Sequence, residues 1–111
     1  MAKTRMAPAE RKEQLLRVAI TLAEKHGYNK INRLMIVDAM DGDITDGLVS
    51  RYFGQRHSLR QAVLFAGIQR ENLTILAQGL ALGDVHARKA PAELRKAAAG
   101  VVDAWREALS I

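Results

Sequence analysis

The chain has 111 residues, 49% of them apolar, with 17 Lys and Arg against 12 Asp and Glu and no Cys. That length suits one domain with a modest core and excludes two that each bury their own. The lack of Cys excludes disulfides, thiolate zinc sites and a cysteine nucleophile, and it suits a reducing compartment, so a cytoplasmic protein is expected.

The formal charge of +5 and a pI near 10.0 point to a polyanionic partner. Basic residues outnumber acidic ones 11 to 7 over residues 1–60 but only 6 to 5 over residues 61–111, so the excess sits in the first half. No charged-then-apolar leader opens the chain, and the apolar stretch from Leu73 to Leu82 is interrupted by Gln78 and Gly79. The expectation is a protein that neither spans a membrane nor is exported.

Residues 1–7 (MAKTRMA) form a basic arm without periodicity, in which Lys3 and Arg5 are candidate phosphate contacts. Pro8 suits a first helical position and Glu10 the first turn, where a carboxylate meets the positive end of the helix dipole. Leu15, Val18, Ala19, Leu22 and Ala23 recur at helical spacing, and Gly27 follows His26 as a stop, which predicts a first helix over 8–26. Asn32 caps a short second helix with Met35, Ile36, Ala39 and Met40 inward, and "DGDIT" breaks it.

Thr45 caps a third helix with Asp46 in its first turn and Leu48, Val49, Tyr52 and Phe53 as its apolar positions, and Gly54 ends it. From Arg56 the pattern is helical for up to seven turns, with Leu59, Val63, Ala66, Ile68, Leu73, Leu76 and Leu80 inward. "GDVHARKA" reads as a loop. Pro91 then opens a last helix with Leu94, Ala98, Val101, Val102, Trp105 and Leu109 on one broad face. With no strand signal, the fold class is all-α with about five helices.

Two short helices joined by a tight turn and braced by longer ones are the parts of a helix-turn-helix unit, whose second helix enters the DNA major groove. Here that helix offers Thr45, Asp46, Leu48, Ser50 and Arg51, and Gly47 permits close approach of the backbone. Gln55, Arg56 and His57 open the following helix, where backbone N–H groups and cations together suit a phosphate.

The run from Arg11 to Ile68 resembles the DNA-binding domain of the tetracycline-repressor (TetR) family. The matching stretches are "LLRVAITLAEKHGY", "INRLMIV" and "ITDGLVSRYFGQRHSLRQAV". The resemblance implies a capping Asn32, an Arg33 touching phosphate, and a capping, phosphate-facing Thr45. It also implies base reading by Asp46 and Leu48, a Tyr52 near the DNA backbone and an Arg56 on phosphate. The chain departs from the family's pattern in a turn about two residues longer at "DAMDGDIT", in Ser50, and in Gln55, a poor helix cap.

Only about fifty residues follow the start of the fourth helix, too few for a ligand pocket of ordinary size. Neither a small-molecule effector nor a cofactor is therefore expected. "DGDITDG" lacks the Gly and Glu of a calcium loop, and His26, His57 and His86 have no metal-binding spacing. No triad, phosphate loop or dinucleotide motif is present, so an enzyme is not expected.

The domain reading is an arm (1–7), a helix-turn-helix region (8–68) and a helical dimerisation region (69–111). The expected partners are double-stranded DNA with a palindromic operator and a second copy of the chain, with no membrane. Leu73, Leu76, Leu80, Val101, Val102, Trp105 and Leu109 are the candidate dimer residues. The function expected is that of a sequence-specific transcriptional regulator, a small dimeric repressor of a nearby promoter of plasmid or phage type without a small-molecule inducer; the alternative is a helical module that binds and inhibits a regulatory protein.

Overall fold

The computed structural model describes residues 7–109, and every regular element among them is an α-helix. In chain order these are α1 (Pro8–His26), α2 (Arg33–Ala39), α3 (Asp46–Phe53), α4 (Arg56–Gln69), α5 (Leu73–Ala81), α6 (Val85–Arg88) and α7 (Ala92–Leu109). None of them is long and apolar enough to cross a membrane.

The first three helices begin and end where local chemistry dictates. Pro8 sits in the first turn of α1, and at its end Gly27 takes a φ of 101° while its N–H donates to Ala23 O at 2.7 Å. The Asn32 side chain accepts from Met35 N at 3.0 Å to start α2, and Thr45 Oγ1 accepts from Leu48 N at 3.1 Å to start α3. Between them Asp41 and Gly42 have φ of 55° and 78°, a left-handed pair that no helix can continue through.

Seven helices among the described residues, against about five expected, come from two corrections. The predicted long helix from Arg56 is broken at residues 70–72. Glu71 turns left-handed with a φ of 56°, and Asn72 caps a new helix by accepting from Ile75 N at 3.1 Å. The break lets α5 fold back on α4 so closely that a Cβ at Gly67 would lie 2.5 Å from Ile75 Cγ2. The second correction is the predicted loop "GDVHARKA", which contains α6. Asp84 caps it by accepting from His86 N at 2.8 Å, and buried Ala87 packs on Gly79.

The apolar interior forms two clusters. One joins Leu15, Ala19 and Ala23 of α1 to Ile36, Val49, Phe53, Leu59, Val63 and Leu64, with Ile75 reaching in from α5. The other gathers Leu76, Ala77, Ala87, Ala90 and Ala98, with Leu80, Leu94, Val102 and Trp105 half-buried around it. Ile68 packs against both. Ala39 and Leu73, expected inward, are instead exposed, because α2 covers the core with one narrow face and the break before α5 turns Leu73 out.

Gln78 appears in the sequence only as an interruption of an apolar run, yet among the described residues it is the one polar residue buried with the core. Its Nε2 donates to Ala23 O at 2.8 Å and its Oε1 accepts from Tyr28 N at 2.9 Å. It thus satisfies backbone groups at the end of α1 from a distance of 50 residues in sequence.

Candidate nucleic-acid interface

The α3 helix presents two sides. Val49 and Phe53 are buried, and Leu48 and Tyr52 are half-buried against the same cluster. Gly47 and Arg51 are exposed on the other side with Ser50 between them, and exposed Thr45 stands at the N-terminal end. Of the candidate base readers, Leu48 is thus largely engaged in packing, as is Tyr52.

Gly47 has no packing role. A Cβ there would meet only Thr45 Oγ1, at 4.0 Å. Its backbone is helical rather than left-handed, so the chain's own conformation does not require glycine at this place.

A shallow depression of about 350 Å³ lies where the starts of α2, α3 and α4 meet, lined by Asn32, Arg33, Leu34, Asp46, Gln55 and Arg56. Three helix N-termini therefore open on one place, each with the positive end of its dipole and first-turn N–H groups. At α4 the cap position is Gln55, whose side chain makes no capping hydrogen bond, and Arg56, His57 and Ser58 are exposed behind it. Such an end suits an external anion.

Within this depression Arg33 is engaged. Its Nε donates to Asp46 Oδ1 at 2.9 Å and its Nη1 to Gly54 O at 3.4 Å. Arg33 therefore braces α2 against both ends of α3. Asp46 holds that guanidinium in addition to standing in the first turn of its own helix.

Arg60 and Leu34 were not among the sequence candidates. Arg60 lies one turn after Arg56 and donates from Nε to Ile31 O at 3.0 Å, tying α4 to the entrance of α2. Burial, then the neighbouring Arg56 charge, pushes its guanidinium below the usual arginine range. The signal was its i, i+4 spacing from Arg56. Leu34, 63% exposed on the wall of the depression, had none beyond being apolar beside a cap.

The long turn carries exposed Asp41, Gly42 and Asp43, and Arg11 reaches Asp43 at 3.8 Å, linking the turn to α1. Lys3 and Arg5 lie outside the described residues. Among the described residues no group of three or more His, Cys, Asp or Glu is placed to hold a metal ion.

The candidate dimer residues divide. Leu73 and Val101 are exposed, Leu80, Val102 and Trp105 are half-buried, and Leu76 and Leu109 are buried within the chain itself. Leu76 belongs to the second cluster and Leu109 packs on Gly27, so neither offers surface to a partner. Comparison with protein-family models, curated proteins and solved structures finds no match to the chain.

Proposed function

We propose that the chain is a sequence-specific DNA-binding transcriptional regulator that acts as a dimeric repressor. In this reading α2 and α3 are a helix-turn-helix of the TetR-like kind, and α3 enters the major groove through Gly47, Ser50 and Arg51. The observation that carries the reading is Gly47, a helical glycine that the packing does not need, on the exposed side of a short helix. Close approach of an external surface to the backbone would give that position a use for lacking a Cβ, as it has on a recognition helix in the major groove. Exposed Arg56 and His57, beside the depression, support phosphate binding at the start of α4.

A twofold dimer would set two such helices on a palindromic site. The α7 helix supports this with Ala97, Val101, Ala104 and Ala108, all exposed and recurring at helical spacing without a charge among them. Salt-dependent affinity would come from phosphate contacts, sequence choice from α3, and repression from occlusion of polymerase. The test is Arg51→Ala and Arg56→Ala in a duplex-binding assay: lost binding with intact folding and self-association supports the reading, and unchanged binding overturns it.

A further inference from the structure

A second exposed surface lies away from the depression. Phe65 of α4 is 47% exposed, Val85 of α6 is 55% exposed and Leu82 at the end of α5 is 40% exposed. Phe65 meets the edge of His86 with ring centroids 4.7 Å apart and an interplanar angle of 79°. That contact fixes an aromatic pair at the surface where α4 and α6 meet. Large apolar side chains brought together in the open mark an interaction surface more often than single exposed ones do.

The charge that follows α6 in the chain is mostly positive, with Glu93 the one acid within residues 88–96. Of the six Lys and Arg in residues 61–111, four fall within residues 88–96: Arg88, Lys89, Arg95 and Lys96. All four are exposed. Arg88 folds back so that Nη2 lies 3.0 Å from where a Gly83 Cβ would be, next to Leu82. Asp84, the carboxylate next to Val85, is engaged through both oxygens, accepting from His86 N at 2.8 Å and from Tyr28 OH at 3.4 Å, while Glu93 stands exposed in the first turn of α7.

We infer that this surface, centred on Phe65 and Val85, docks an acidic amphipathic segment of a partner protein. Its apolar side chains take the partner's apolar face, and Arg88 and Lys89 take its carboxylates. A phosphate backbone would satisfy the cations but leave Phe65, Val85 and Leu82 without a match, whereas an acidic helix with apolar residues three and four apart answers both. Phe65 follows Arg56 by nine positions on α4, half a turn round the helix and about 13 Å along it. The surface therefore works independently of DNA binding at the start of α4.

The test uses the full chain and a fluorescein-labelled synthetic helical peptide with Leu at i, i+3, i+4 and i+7 and Glu elsewhere. A Glu-to-Gln version of the peptide and a duplex DNA serve as comparison. The acidic peptide binds, the neutral version binds about tenfold more weakly, and Val85→Glu and Lys89→Glu each weaken binding about tenfold, as expected for an anchor and a charge at a contact centre. Lys89→Glu alters only an exposed side chain, so it stays informative if an apolar substitution perturbs folding.

Duplex affinity is unchanged in both variants, which separates this inference from the DNA-binding proposal. Absence of peptide binding overturns it, as does binding that ignores both substitutions or that is lost in Arg56→Ala. A sedimentation coefficient of the chain alone that falls in Val85→Glu also overturns it, because the surface is then covered by a second copy.

Discussion

Arg33 Nε stands 2.9 Å from Asp46 Oδ1, and this one pair fastens the start of α2 to the start of α3. Both side chains remain partly open to solvent, at 28% and 46%, so a double-mutant cycle will give a coupling of about 0.5–1 kcal/mol. The larger effect is on binding. Asp46→Asn removes a negative charge from the proposed interface and frees Arg33, so duplex affinity rises and its salt dependence steepens. Unchanged affinity would mean that Arg33 never reaches phosphate.

Three glycine-to-alanine substitutions separate packing from function. Gly67→Ala drives a Cβ to within 2.5 Å of Ile75 Cγ2 and will destabilise the fold. The expected cost in urea unfolding is about 1–3 kcal/mol. Gly100→Ala, with nothing within 4 Å, will stabilise α7; the gain is up to about 1 kcal/mol. Gly47→Ala will likewise leave stability unchanged or raised, yet weaken duplex binding about tenfold if α3 lies in the groove. Full binding by Gly47→Ala would remove the main support for that placement.

Gln78→Leu keeps the volume of the side chain near constant but leaves Tyr28 N without its acceptor, since that N–H donates to Gln78 Oε1 at 2.9 Å. Ala23 O retains the Gly27 N–H at 2.7 Å. One orphaned buried donor predicts a loss of about 1–3 kcal/mol, read from urea midpoints. A neutral result would show that water reaches the end of α1.

Burial, then the charge and hydrogen bond of Asp84, pushes the Tyr28 hydroxyl well above the usual tyrosine range. The folded state therefore keeps this proton after the unfolded chain has lost it. The stability this contributes is complete below the unfolded value, about 10, and declines as pH rises from there towards the folded one. Tyr28→Phe will flatten the alkaline limb of a stability-versus-pH profile, and an unchanged limb would contradict the buried hydroxyl.

The sequence made α1, α2 and α3 legible because their ends are set by side chains within a few residues of the boundary: Pro8, Gly27, Asn32, Thr45 and Gly54. The break at residues 70–72 contains neither Gly nor Pro, and it arises because Gly67 admits Ile75 when α5 folds back. Asn72 before an apolar run was the available signal, obscured by helical periodicity on both sides. Gln78 was illegible for a similar reason, since a buried polar side chain is explained only by partners that the fold brings from α1. At the candidate interface, caps and exposed cations could be read locally, but the Arg33 to Asp46 pairing and the meeting of three helix starts depend on how α2, α3 and α4 pack.

Fluorescence anisotropy of the purified chain, with a labelled duplex from upstream of its own gene and a shuffled duplex at two salt concentrations, tests the central claim most directly. A sequence-specific regulator binds the native duplex more tightly, keeps that preference at the higher salt, and loses it in Arg51→Ala. No binding to either duplex at either salt would contradict the account.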